Sequence, residues 1–480
     1  MKTLLLLDRR TLQPQGMCNA ALRVCPIQKD EGYNPLFTEE FFAQPPKRWE
    51  PRYDNGYPNV IFDPADRRFR CYYTLFLEDP VSAAVPKAER AQQHYRPTPD
   101  RCVGLAYAES EDGIHWVKPS LNLVQFEGST QNNILFRYAH GTGVMLDLHD
   151  PDPQRRYKLV TKMDFSDQKG GFMAINFSHD GVHWGEMLPW PEHNPQADSH
   201  NFPFFDELAG VYRVMTRCWR DGVRVVTSCE SKDFLHWSAP REVLRGCGFE
   251  RQIYSMPVFM YNELYLGLAS VFHEGDRSAA NFDTVDCELY CAVTPDVFSA
   301  VAAEQSFIPR GKGTYPDGAL DCGCVYASPP VRIQNRLYFY YMGGNGRHTD
   351  FRETSLARGW LQGDHFAYYT PKDAQRDAIL KTAQLQLEET SLLLSAEIEG
   401  DGFILASLFD SWNGNTLPGF SEAECTLEPA SEGKYLLRFG GSPETLRKRG
   451  VCLSLRFRGA RLFAIQGQVE LQRHRLWEGV

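Results

Sequence analysis

The 480-residue sequence has no positive charge to spare: 51 Lys and Arg stand against 61 Asp and Glu, a net charge of −10, and no long basic run occurs. A phosphate backbone is bound by clustered cations that displace its counterions, so no nucleic-acid partner is expected. Long apolar stretches are missing as well. None approaches the roughly 18 to 20 residues that span a bilayer. The run Leu4 to Leu7 is cut off by Asp8, Arg9 and Arg10, well short of a signal-peptide core, and reads as a first strand. No membrane partner and a cytoplasmic location are therefore expected. The thirteen cysteines are odd in number and form no CxxC pair, which argues against a disulfide framework. The CxC at Cys322 and Cys324 has no second Cys or His pair nearby to complete a zinc site, and no metal or cofactor is expected. The segment GGNGRHTD (Gly343 to Asp350) lacks the GK[ST] ending of a phosphate loop.

What the sequence does contain is aromatic residues (13%), 38 Gly and 30 Pro, a composition of short strands and tight turns. An apolar strand, a polar turn and an aromatic-rich strand recur five times: Asn59 to Thr74, Val144 to Lys162, Pro203 to Arg217, Pro257 to Ser270 and Pro330 to Gly343. Each copy reads as a hairpin. With Phe62, Leu148, Phe205, Met260 and Ile333 as equivalent positions, the steps are 86, 57, 55 and 73 residues, the spacing of one four-stranded propeller blade per repeat with insertions in some blades. Three short motifs follow the first three hairpins: SEDGIHW (Ser110 to Trp116), SHDGVHW (Ser178 to Trp184) and SKDFLHW (Ser231 to Trp237). In such a turn Asp accepts backbone N–H groups, Gly permits positive φ and Trp folds back to pack between blades. The His before each Trp belongs to the turn, because equivalent positions on separate blades lie far apart.

From about Leu380 the pattern becomes alternating strands with Gly-rich turns, the mark of a half-buried antiparallel sheet. The expected fold class is all-β, a five-bladed β-propeller over residues 1–375 followed by a β-sandwich over 376–480, joined by the polar segment between Tyr369 and Leu380. The sandwich is expected to brace the propeller.

In a propeller the residues just ahead of each blade's first strand face a common axis. Those positions hold Asp54, His140, Asp198 with His200, Glu250, and Asp317 with Asp321. Carboxylates gathered in one pocket are costly unless protonated, paired or used, and glycoside hydrolysis uses two of them, one as acid and one as base or nucleophile. Aromatic faces and amide, His and Arg side chains suit a sugar. The candidates are Tyr53, Asn55, Tyr57, His140, His200, Asn201, Arg251, Tyr254, Tyr326, Asn345 and His348.

With these residues in hand, the chain resembles the five-bladed propeller hydrolases of the glycoside hydrolase family 32, 43 and 130 neighbourhood. It is most similar to the bacterial propellers described as family 32 N-terminal-like or sialidase-like. The likeness lies in the SxDGxxW turns, in Pro309 to Pro330 with YYMGGNGRH, in Glu353 to Tyr369 and in Cys452 to Gln466. The resemblance implies an Asp in blade one, a second Asp that helps the transition state and a later Glu acid; Asp54, Asp198 and Glu250 match that order. The WMNDPNG and EC motifs of family 32 are absent, and so is the Arg triad of sialidases. The leading expectation is a glycoside hydrolase acting on small oligosaccharides. Glu250, near apolar Ile253, Tyr254 and Met256, is its general acid, and Asp54 its base or nucleophile. Asp198 positions Asp54 or stabilises positive charge, and Asp321 binds a sugar hydroxyl. Two alternatives stay open. One is a phosphorylase whose phosphate sits on Arg251, His200, Arg347 and His348; the other is a non-catalytic carbohydrate-binding propeller.

Overall fold

The computed structural model describes residues 2–165, 171–190, 197–447 and 449–472. The chain is almost entirely β and divides into two compact units. One unit comprises Pro26–Ala300 with Ser306–Leu361; the other comprises Met1–Cys25, Val301–Gln305 and Gln362–Val480. This corrects the expected division of 1–375 and 376–480. The first 25 residues belong with the C-terminal sheet, because Lys2–Leu5 pairs with Gly467 to Ala464 and Ala20–Val24 pairs with Pro371 to Ala367. The expected polar linker is a turn inside that sheet, between strands Ala367–Pro371 and Ala378–Lys381. The sheet has ten strands around two long ones, Ser391–Asp410 and Val451–Gly467. Its apolar side chains form a separate core that includes Leu6, Leu394, Phe420 and Leu453.

The larger unit consists of antiparallel meanders built on the five hairpins. The first uses Asn59–Asp63, Arg68–Glu78 and Cys102–Ser110, the second Ala139–Leu146, Tyr157–Asp164 and Gly171–Ser178, and the third Phe202–Asp206, Val211–Arg220 and Val223–Ser231. The fourth is centred on Leu264–His273 and Thr284–Ala292, the fifth on Arg336–Gly344 and Thr354–Gln362. These last two join through a single parallel pair, Val285 with Cys324. The outer edge of the fifth is completed by Gln28–Lys29 and Phe37–Thr38 from near the chain start. First strands are neighbours in turn: Asn59–Asp63 beside Ala139–Leu146, that beside Phe202–Asp206, that beside Val258–Tyr261, while Val331–Ile333 returns to Asn59–Asp63. All ten residues of Leu264–His273 are buried, as expected of strands covered on both faces.

The three SxDxxHW turns share one hydrogen-bond pattern. Asp112 Oδ1 accepts from Ile114 and His115 N at 2.8 Å, and Asp180 and Asp233 repeat it with their own neighbours. Each His turns back onto the Asp of its own turn at 2.7 Å, with 64% to 82% of its side chain exposed. None faces another. Gly113 and Gly181 have φ of +73° and +79°, and a Cβ on either would sit 2.3 Å from a Tyr hydroxyl of the neighbouring meander, Tyr340 or Tyr72. In the third turn Phe234 takes the positive-φ position (66°), and its ring fills the space against Trp237, Tyr212 and Phe177.

Candidate functional site

Residues ahead of the first strands converge on a cavity of about 250 Å³. Its wall takes Arg52, Asp54, Asn55 and Tyr57 from the first meander, His140 from the second and Asp198 from the third. Tyr254 comes from the fourth, and His348 and Thr349 from the loop after the fifth hairpin. Phe76, Tyr95, Pro97 and Arg101 complete it. The last three belong to an insertion between the second and third strands of the first meander, which also carries the short helices Pro80–Ala84 and Lys87–Arg90. The insertion is anchored by Arg90 on Glu353 at 3.1 Å and by Tyr95 N on Asp350 Oδ1 at 2.8 Å.

Asp54 is the best-defined group. Its Oδ1 accepts from Arg52 Nε at 3.1 Å and from Arg352 Nη2 at 3.0 Å, whereas Oδ2 has no hydrogen-bond donor among the described residues. Burial alone raises a carboxyl pKa; here Arg352 and Arg52 overcome it and hold Asp54 well below the usual range, so it is ionised. The backbone supporting it is unusual. Asp54, Gly56 and Tyr57 all have positive φ (56°, 69° and 40°), a conformation that costs roughly 1–3 kcal/mol at a non-glycine residue and concentrates at functional sites. At Gly56 a Cβ would meet Met342 Cγ at 2.4 Å, so only glycine fits there. The loop is held by Glu39, which accepts from Tyr53 N at 2.9 Å and Thr354 N at 3.3 Å. Burial pushes the Glu39 carboxyl up to about 7.

The neighbours of Asp54 are oriented by hydrogen bonds. Arg352 Nη2 donates to Asn55 Oδ1 at 2.7 Å, and Asn55 Nδ2 to Tyr57 OH at 2.7 Å. His140 Nδ1 lies 2.8 Å from Asp164, a carboxylate held ionised first by that bond, so Nδ1 carries the proton and Nε2 is left for a ligand. His348 bonds Tyr326 OH at 2.9 Å through Nδ1, and burial followed by Arg352 keeps it neutral. Asp198 is ion-paired with buried Arg217 and is 45% exposed, against 23% for Asp54.

Of the residues expected from sequence, the fold gathers Asp54, Asn55, Tyr57, His140, Asp198, Tyr254 and His348 at this cavity. It does not bring in the others. Glu250, expected as the acid, is exposed in the loop closed by the Cys247 to Arg251 bridge. Tyr254, which lies at a register shift between Ile253 and Ser255, does reach the wall. Arg251 is spent on Glu288, at 2.7 and 2.8 Å. Asp321 is enclosed by Lys29 Nζ at 2.6 Å, Tyr341 OH at 2.9 Å and Gly311 N at 3.0 Å, and binds no sugar hydroxyl in that setting. Asp317 is exposed. His200 lies below the cavity, 2.9 Å from Asn59 Oδ1, with its pKa pushed down to about 3 by burial. The hydroxyl of Tyr53, Asn201 and Asn345 are engaged by Glu50, Thr216 and Glu353, and Tyr326 serves behind His348. Sequence reasoning missed Arg52, Arg352, Arg217, Tyr95 and Arg101. Arg251 and Arg347 carry weight in the sequence because they stand beside other candidates, whereas Arg352 reaches Asp54 across 298 positions.

Among the described residues no group of three or more His, Cys, Asp or Glu is arranged to hold a metal ion, and no helix is long and apolar enough to cross a membrane. Among the described residues no cysteine is paired in a disulfide.

No family model and no curated protein matches the chain. Several solved structures are similar to it. One is the β-1,2-mannobiose phosphorylase from Listeria innocua, with 14% identity, 70% of this chain and 96% of that chain covered and a TM-score of 0.46. A glycosyl hydrolase from Bacteroides ovatus has 13% identity over 70% of this chain and 94% of that chain, with a TM-score of 0.46. An N-acetylgalactosamine deacetylase from F. plautii has 13% identity over 71% and 96%, with a TM-score of 0.43. At this level of likeness none of the three lends the chain its activity.

Proposed function

We propose that the chain is a carbohydrate-active enzyme that cleaves a glycosidic bond in the cavity around Asp54. The five meanders are read as the blades of a five-bladed β-propeller and the ten-stranded sheet as a β-sandwich. The observation that carries the functional reading is the state of Asp54: an ionised carboxylate with one oxygen fixed by two guanidiniums and the other without a protein donor. Cleavage of a glycoside develops positive charge at the anomeric carbon, and a fixed anion facing it stabilises that charge or attacks it. Asp198 supplies the second carboxylate on the wall. Tyr254, Tyr57 and Asn55 offer ring faces and an amide to the sugar.

Water is the acceptor in this reading, which makes the enzyme a hydrolase. The alternative phosphate cluster of Arg251, His200, Arg347 and His348 has less support, since Arg251 serves Glu288 and His200 is bonded to Asn59. The test is a screen of the purified chain against aryl glycosides and oligosaccharides with reducing-end detection, run with and without inorganic phosphate. Release of reducing sugar without phosphate, lost in Asp54→Asn, is the expected result. Saturable sugar binding with no cleavage in either condition would make the chain a binding protein.

A further inference from the structure

The cavity wall carries two guanidiniums, Arg52 and Arg101, and two carboxylates, Asp54 and Asp198, and two further guanidiniums, Arg352 and Arg217, stand against the carboxylates. Asp54 is matched by Arg352 and Arg52, and Asp198 by Arg217. Arg101 remains. Its Nη1 donates to Tyr95 OH at 3.2 Å and its guanidinium lies 4.2 Å over the Phe76 ring, but it meets no carboxylate among the described residues. Tyr95 OH is itself committed to Asp79 at 2.6 Å, so Arg101 is held in place, with Asp54 and Asp164 near enough to feel its charge. A second, independent feature lies on the same wall. Arg52 is 2% exposed, stacked 3.9 Å from the centre of the Tyr95 ring, with Nε on Asp54 and Nη2 on the Asp350 carbonyl. Its Nη1 is buried and has no hydrogen-bond acceptor. Buried N–H groups are rarely left unpaired, least of all on a charged group.

We infer that Arg52 and Arg101 form a seat for an oxyanion brought by the substrate side of the reaction, either the carboxylate of an acidic sugar or a phosphate. The inference rests on the reading of this cavity as a glycoside site and names the class of ligand it takes. Planar guanidiniums suit the paired oxygens of such groups. The Tyr95 ring stacked on Arg52 and the Phe76 ring beneath Arg101 give the seat apolar flanks, which strengthen a charged contact. Because Tyr95 and Arg101 are carried by the insertion at 79–101, that insertion sets the preference for an anionic ligand.

Isothermal titration of the full chain with glucuronic acid, glucose and inorganic phosphate tests this, with Arg101→Gln beside the parent. Arg101 is half-buried on an insertion, and equal thermal melting of the two proteins verifies that the variant is folded. The expected result is that glucuronic acid or phosphate binds the parent, more weakly as salt is raised. Arg101→Gln should lose roughly tenfold or more in that affinity, one charge-assisted contact, while the affinity for glucose is unchanged. Binding of glucuronic acid identifies a sugar carboxylate as the source; binding of phosphate alone identifies inorganic phosphate or a phosphorylated sugar. Failure of both anions to bind, or equal affinities in parent and variant, would overturn the seat. Anion binding without cleavage of any glycoside would leave the seat standing and remove the enzymatic reading.

Discussion

The two ends of the same five first strands are built for different purposes. Upstream of the strands lies the cavity of about 250 Å³ with Asp54, Arg52, Arg101 and His140 on its wall. Toward the hairpin turns lies a larger cavity of about 640 Å³, lined by Val60, Phe62, Val144, Phe205, Val258, Met260 and Val331, with only a few polar neighbours such as His149 and Glu207. Asn59, on the wall of the apolar cavity, ties the first two strands together and holds His200. Asn59 donates to the Tyr57 and Thr142 carbonyls at 3.1 and 2.9 Å and accepts from Val144 N at 3.1 Å and His200 at 2.9 Å. Size alone would choose the apolar end. The proposed reaction is assigned to the other, because a reaction needs fixed charge and oriented donors, and volume supplies neither.

The largest effect that would break this contrast is at Asp54. Asp54→Asn keeps the shape and removes the charge, and a loss of roughly a thousandfold in kcat is expected on the glycoside found by screening, a size typical of removing a group that stabilises transition-state charge. Next comes Arg352→Ala, which leaves the Asp54 carboxylate with Arg52 as its remaining donor. The loss of one charge-assisted hydrogen bond costs about 1.5–3 kcal/mol, to be measured by chemical denaturation.

Glu39 sharpens the comparison through pH, because it supports the Asp54 loop and has no counterpart at the apolar end. Its carboxyl is raised from 4.5 to about 7 in the folded chain, so the folded state holds the proton more tightly than the unfolded one. Its contribution is fully present below about 4.5 and is lost as pH rises through about 7. The parent should lose roughly 3 kcal/mol of stability across that window, whereas Glu39→Gln, which still offers an oxygen to Tyr53 and Thr354, should be flat from this source. Equal pH profiles of parent and variant in urea melts would contradict the assignment. The smallest effect is expected at the far end. Leu148 is 60% exposed at the rim of the apolar cavity, and Leu148→Ser should leave kcat and KM within about twofold.

What was legible in the sequence is what local chemistry determines. The three Ser-Asp-His-Trp turns are closed by bonds between residues two to five positions apart, and the turn-side pairs of the hairpins are also local, so their pattern survives in one short window. Positions ahead of the strands were also legible, which is how Asp54, His140 and Asp198 were found. What escaped is set by partners far away in the chain. Lys29 claims Asp321 across 292 positions and Arg352 claims Asp54 across 298. Glu250 shows the reverse error. It stands at the expected distance ahead of its strand, yet the Cys247 to Arg251 bridge leaves it at an exposed turn.

The central claim is that the chemistry belongs to the wall around Asp54, and the most direct measurement is the turnover of Asp54→Asn and Glu250→Gln side by side on one cleaved glycoside. The account predicts a loss of roughly a thousandfold for Asp54→Asn and a rate within about threefold of the parent for Glu250→Gln, outside the range that loss of an acid–base group produces. A Glu250→Gln enzyme that is inactive beside an Asp54→Asn enzyme that still turns over would contradict it.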